Sequence, residues 1–156
     1  MIVVASENGR VGIDLAWEIL ASGGTALDAV EAGTRLVEDD PGDHTVGYGG
    51  YPNLLGVVEL DASIMEGSSR RAGAVGGLRR NRAAVTVARA VMERLPHALV
   101  AGDGADRLAE ELGLPDERLL TEEAEATWRA GIEGRLPPGS RGARMLSVMA
   151  GLATDP

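Results

Sequence analysis

The sequence predicts an α/β layered domain in which strands and helices are mixed along the chain rather than segregated. Three observations carry that reading. Short apolar runs of strand length alternate with longer segments whose apolar residues recur at helical spacing. Glycine and proline, 22 and 7 of the 156 residues, punctuate the boundaries without any collagen-like period. No internal repeat divides the chain, and its length suits one domain that buries roughly two-thirds of its unfolded surface.

Taken in order, Ile2 to Ala5 is a short apolar run expected to form a buried strand. Ile13, Ala16, Trp17 and Leu20 fall at i, i+3, i+4 and i+7, one face of a helix that Gly23-Gly24 ends. Thr25 is the expected N-cap of a second helix, with Asp28 three residues on to complete a capping box. Leu27, Val30, Thr34 and Val37 give that helix its apolar face, and Glu38-Asp39-Asp40-Pro41 stops it. After a glycine-rich loop, Val57 to Met65 reads as a strand, Glu66-Gly67 as a turn, and Ala72 to Val75 as its hairpin partner.

Ala84, Val87, Ala88, Val91 and Leu95 mark a third helix, closed by Pro96. Ala98 to Ala101 is another short strand. Ala105, Leu108, Ala109 and Leu112 mark a helix ended by Gly113, and a shorter helix is expected over Glu122 to Ala130. From Gly131 through Arg144 glycine, proline, arginine and serine dominate, which reads as a mobile segment. The expected organisation is therefore a domain over residues 1–130 and a Gly/Pro/Arg-rich tail over 131–156.

Composition narrows the function classes. The net charge is −9, and all fifteen basic residues are arginine. An acidic surface repels nucleic acid and anionic membranes, so neither is an expected partner. The absence of cysteine excludes disulfides and thiolate-metal sites. No apolar run approaches the roughly 20 residues of a membrane span. The first residues lack the basic start and apolar core of a secretory signal, so a cytoplasmic location is expected. With 3% aromatic residues and no phenylalanine, the core must rest on Val, Leu, Ile, Ala and Met.

The most informative stretch is Val46-Gly47-Tyr48-Gly49-Gly50-Tyr51-Pro52-Asn53, running on to Leu60-Asp61-Ala62-Ser63-Ile64-Met65. Glycine and proline fill four of its first eight positions and impose a tight loop, because glycine alone enters positive φ without steric cost. The loop feeds a strand that carries an acidic residue between apolar ones. Four more blocks accompany it: Gly23-Gly24-Thr25-Ala26-Leu27-Asp28-Ala29-Val30-Glu31; Val37-Glu38-Asp39-Asp40-Pro41; Val87-Ala88-Arg89-Ala90-Val91-Met92-Glu93 with Pro96-His97; and Val100-Ala101-Gly102-Asp103-Gly104-Ala105. In this order and spacing they resemble the α-subunit of the glycosylasparaginase, isoaspartyl peptidase and plant-type L-asparaginase family of N-terminal-nucleophile hydrolases, over roughly residues 1–130.

That resemblance implies half of an αββα four-layer sandwich, formed by a precursor that cuts itself before a threonine, usually within a His-Asp-Thr motif. The freed α-amine, with a pKa of about 8, serves as base for the threonine's own hydroxyl. The side-chain amide of asparagine or a derivative is then cleaved to aspartate and an amine or ammonia. The chemistry implies no cofactor and no metal, although related asparaginases hold a structural sodium ion. An (αβ)₂ assembly is implied as well. Substrate contacts are expected by resemblance at Ser6, Asn8, Gly49, Gly50 and Asp61.

The chain departs from the family pattern in two places. A tryptophan near the mature N-terminus shapes the pocket of glycosylasparaginases, and Ser6 in Ser6-Glu7-Asn8-Gly9 stands at that place. A hydroxyl provides no comparable apolar wall, which favours free asparagine or β-aspartyl peptides over glycan-linked asparagine. Ser6 and Asn8 also read simply as the turn after the first strand. The second departure is the missing His-Asp-Thr motif. Ser147 and Thr154 are hydroxyls of the tail that could be proposed as nucleophiles, and neither follows the expected acid. The nucleophile is therefore expected on a missing β-portion, the chain being truncated or its C-terminal half lying on another polypeptide; the alternative is a catalytically inactive binding or regulatory protein derived from a truncated hydrolase.

Other signals have local readings. Asp43-His44-Thr45 resembles the scissile motif with two residues exchanged, but its flanks place it at the α-subunit loop, and His44 reads as a turn histidine. Asp61 is either a substrate or loop carboxylate or a partnered structural aspartate. Arg70, Arg71, Arg79, Arg80 and Arg82 would hold a carboxylate or phosphate, or are solvated loop arginines. Gly102-Asp103-Gly104 hints at a dinucleotide turn, yet Arg107 stands where the third glycine belongs. Glu110-Glu111 and Glu122-Glu123 read as solvated helix faces.

Overall fold

A computed structural model describes residues 1–139. The elements run in the order 3₁₀ turn (Asn8–Gly12), α1 (Ile13–Ala21), α2 (Ala26–Glu38), β1 (Leu60–Met65), β2 (Ala72–Leu78), α3 (Ala84–Arg94), β3 (Leu99–Ala101), α4 (Asp103–Glu111) and α5 (Glu122–Ile132). The fold is mixed α/β. Its three-stranded sheet has the order β1-β2-β3, with β1 antiparallel to β2 and β3 parallel to it. A turn joins the antiparallel pair, whereas the parallel pair needs α3 as crossover.

α3 lies on one face of the sheet and buries nearly its whole circumference, including Val87, Ala88 and Val91. Against it stand Leu60 and Ile64 of β1 and Val75 and Leu78 of β2. Gly73 makes the approach close: a Cβ there would lie 2.3 Å from the Ala88 carbonyl oxygen. α2 packs on α3, α1 with the 3₁₀ turn packs on α2, and α4 joins the same core as α3 through Ala105 and Ala109, so among the described residues the buried helix contacts gather on that side. The opposite sheet face carries Ser63 and Met65, paired with Ala74 and Ala72, and Leu99 beside Ala74. Met65 and Leu99 are 60% and 58% exposed.

Local chemistry explains the helix boundaries. The capping box at the start of α2 is present: the Thr25 hydroxyl accepts from the Asp28 amide, and the Asp28 carboxylate accepts from the Thr25 amide, each at 3.1 Å. Gly23 follows α1 and Gly113 follows α4, both in the left-handed region. Thr121 caps α5, which continues to Ile132, two residues past the expected end.

Three expectations are corrected. Residues 2–5 form no strand; among the described residues they pair with none, and Ile2 and Val4 are each 86% exposed. An apolar run becomes a strand only where a ladder partner meets it. The apolar face of α2 is also turned. Ala29, Gly33, Val37 and Glu38 are buried, while Val30 is 54% exposed. Small residues set this rotation, since a Cβ on Gly12 would lie 2.3 Å from the Gly33 carbonyl oxygen. The first strand of the sheet begins at Leu60 rather than Val57, because the Val57 backbone closes the preceding loop on Asn53.

Candidate functional site

The glycine loop is built inward. Gly47 sits on the end of α2 with φ +62°, and a Cβ there would fall 2.0 Å from the Glu38 carbonyl oxygen. That same carbonyl accepts the Tyr48 amide at 2.8 Å. The Gly49 amide donates to the Leu119 carbonyl at 2.8 Å, and the Gly50 amide to the Gly47 carbonyl at 3.3 Å. Gly49 and Gly50 are buried. Three successive amides therefore donate within the protein, so the loop in this arrangement offers none of them to an anion.

His44 stacks on Tyr51, ring centroids 4.6 Å apart, and its Nδ1 donates to the Gly49 carbonyl at 2.7 Å. Only a protonated ring nitrogen can bond a carbonyl, which fixes this tautomer. Thr45 binds the Asp43 carboxylate through both its amide and its hydroxyl. Asn8 then donates to the Thr45 hydroxyl at 3.3 Å, bringing the N-terminal segment onto the loop.

An open, mainly apolar cleft of about 740 Å³ lies between residues 2–6 and the helices α1 and α2. Ser6 and Asn8 line it together with Thr34, Thr45, Val30 and Leu20. Ser6, Asn8 and the glycine-loop entrance are thus neighbours. Asp61 is elsewhere, on the exposed side of β1, where its carboxylate accepts the Gly77 amide at 2.8 Å. Gly77, at φ +63°, is the extra residue where the β1–β2 register shifts, and Asp61 pins that bulge. Ser147 and Thr154 lie outside the described residues.

The arginines after β2 are committed to carboxylates. Arg79 pairs with Glu59, Arg80 with Asp116 and Arg82 with Glu117. Asn53 and Arg79 hold the Glu59 carboxyl below its usual range, and Arg80 does the same for Asp116. Burial works against the Glu117 carboxyl, but the bonds from Arg82 outweigh it and the net shift is downward. Arg71 donates to the Met92 carbonyl. Buried Asp106 accepts the amides of Arg79 and Arg80, fixing the loop from beneath. Gly102, at φ +58°, opens α4 and donates its amide to Gly76, which accounts for the Gly102-Asp103-Gly104 signal without a nucleotide.

Glu38 is the buried acid that the sequence hides, because it stands in an acidic run that reads as a helix stop. It is 3% exposed, accepts the Val85 amide at 2.8 Å and pairs with Arg35 at 2.9 Å. Burial pushes its carboxyl up to about 7 despite those two donors. The helix α3 has no side-chain cap of its own, so Glu38 caps it from another helix. Among the described residues no group of three or more His, Cys, Asp or Glu is placed to hold a metal ion. None of their helices is long and apolar enough to cross a membrane.

Comparison with known proteins places this architecture. The chain is 49% identical over 118 residues to the N(4)-(beta-N-acetylglucosaminyl)-L-asparaginase of Elizabethkingia miricola, covering 76% of this chain and 34% of that protein. It is 49% identical over 108 residues to the mouse (Mus musculus) protein of the same name, covering 69% of this chain and 31% of the relative. To the mouse isoaspartyl peptidase/L-asparaginase it is 44% identical over 109 residues, covering 68% and 33% respectively. The chain spans about a third of the length of the curated relatives it matches. The asparaginase family pattern matches residues 9–138, which takes in every helix and strand from α1 to α5, and the chain belongs to that family.

Proposed function

We propose that this chain is the α-portion of an amidohydrolase that cleaves the side-chain amide of asparagine or an asparagine derivative. Its threonine nucleophile would be supplied by a β-portion, released by autoproteolysis or encoded separately. In this reading the chain is half of a four-layer αββα sandwich. The domain over residues 1–130 supplies one helix layer and one sheet, and the (αβ)₂ assembly forms in the cytoplasm.

The observation that supports this reading best is the one-sided layering. Helices cover one sheet face, while Met65 and Leu99 stand exposed on the other. An apolar sheet face normally lies against a second layer. The exposed Ile2 and Val4, beside an apolar cleft, present a second surface of the same kind. Ser6 and Asn8, at the mouth of that cleft, are the proposed substrate contacts on this chain, with Gly49 and Gly50 shaping the loop beneath them and Asp61 holding the strand that follows. The 49% identity to proteins named for action on N(4)-(beta-N-acetylglucosaminyl)-L-asparagine, and the 44% identity to an isoaspartyl peptidase/L-asparaginase, support the substrate class without choosing within it.

Co-expression with the threonine-bearing C-terminal portion of the Elizabethkingia miricola relative tests the proposal. The expected outcome is a co-purifying complex that releases ammonia from asparagine or aspartate from a β-aspartyl dipeptide. A stable complex with no hydrolysis of asparagine, a β-aspartyl dipeptide or N4-glycosylated asparagine would favour the reading as a binding or regulatory protein. No complex at all would remove the α-portion reading.

A further inference from the structure

Glu38 joins the end of α2, the glycine loop and the start of α3. Its main-chain carbonyl accepts the Tyr48 amide, and Gly47 lies against its backbone with no room for a Cβ. Its side chain accepts the Val85 amide at the start of α3. Arg35, one turn earlier on α2, holds the other carboxylate oxygen. We propose that Glu38 is the positioning residue of the glycine loop, and that its proton state sets how firmly the loop is held. This inference is independent of the amidase reading, since it concerns the order of the loop and not the reaction.

Among the described residues, few groups are placed to stabilise the ionised carboxylate. On α2 these are Arg35, which it shares with Asp39, and Asp39 itself, which repels it. From the loop after β2 comes Arg82, which reaches Asp39 at 3.9 Å but is bound to Glu117 of the loop before α5. The Arg82 guanidinium also lies 4.2 Å from the centre of the Tyr48 ring, so its charge is divided among three partners. α3 offers only the Val85 amide. The glycine loop offers no cation toward it; His44 is turned to the Gly49 carbonyl. Ionised Glu38 is therefore drawn toward water, and any opening that lets it reach water frees both Tyr48 and Val85.

The sign follows from linkage. The folded carboxyl titrates at about 7 against the ordinary 4.5, so the closed loop binds a proton that the open loop releases. Closure is firmest below the ordinary value and weakens as pH rises through about 7. The loop should open more readily in mild alkali than in mild acid.

Amide hydrogen exchange on the 156-residue chain, corrected for the intrinsic effect of pH on exchange, reads this directly. Opening at Tyr48 and Val85 should increase on the order of 50-fold between about pH 5 and about pH 8. Glu38→Gln keeps an oxygen for Val85 and should flatten that dependence, whereas His44→Gln should leave it in place. A flat profile in the unaltered chain would overturn the proposal. So would an unchanged profile in Glu38→Gln, loss of the profile in His44→Gln, or an equal rise across the amides of α4, which would report unfolding of the whole chain. Should Glu38→Gln not fold, the unaltered and His44→Gln profiles decide alone.

Discussion

On the helix side of the sheet, Leu60, Ile64, Val75 and Leu78 are almost wholly removed from solvent against Val87 and Val91. On the other side, Ser63, Met65, Ala72 and Leu99 are exposed and Ala74 is half-buried. The same strands make both surfaces, so strand propensity does not separate them. What separates them is the partner that each face meets. A helix of small and β-branched residues is at hand for one, fitted at Gly73 so closely that no side chain could be added. The comparison teaches that this chain builds one complete interface, while the opposite face leaves Met65 and Leu99 exposed.

Substitutions can break the closed side and leave the open side intact. Val91→Asp places an unpaired charge in the α3–sheet interface and should unfold the chain, with a loss of about 4 kcal/mol or more in chemical denaturation. Gly47→Ala meets both positive φ and the Glu38 backbone, and should destabilise by about 3 kcal/mol, with the loss of protection centred on Tyr48. Glu38→Gln should act in the opposite sense, with an effect that grows from about pH 5 and is nearly complete by about pH 7. It should stabilise by on the order of 2–3 kcal/mol at about pH 8 and by little at about pH 5, as measured by urea midpoints.

Thr25→Ala removes the cap of α2 and should cost about 1 kcal/mol, with no change in how the chain associates. The smallest expected effect sharpens the comparison most. Leu99→Asp on the open face should alter the stability of the chain alone by no more than about 0.5 kcal/mol. It should nevertheless prevent co-purification with a nucleophile-bearing portion. A large effect on the chain alone would mean that this face is already covered.

Helices were legible wherever their signals are local. The capping box at Thr25 and Asp28, the glycines after α1 and α4, and the apolar spacing of α3 each act within a few residues. Residues 2–5 misled because an apolar run records hydrophobicity and not the presence of a ladder partner. The face of α2 misled because Gly12 and Gly33 approach across a gap that no periodicity records. The site was legible only in pieces. Asn8 meets Thr45 across 37 positions, and Glu38 meets Val85 across 47. Arg80 and Arg82 find Asp116 and Glu117 at separations of 36 and 35, and Arg79 finds Glu59, so three of the five clustered arginines become neutralised pairs in the fold.

Those paired arginines bear on how the molecule answers acid. Glu59, Asp116 and Glu117 are all held below the ordinary carboxyl range, so whatever stability they lend is present at neutral pH and lost as pH falls through their lowered values. Exposure and salt keep the first two contributions small; Glu117, more enclosed, carries more of the effect. Glu38 works from the opposite limb. The stability curve should therefore peak in mild acid, and its two limbs report different places: stronger acid loosens the loop after β2, and a rise toward neutral pH loosens the loop after α2.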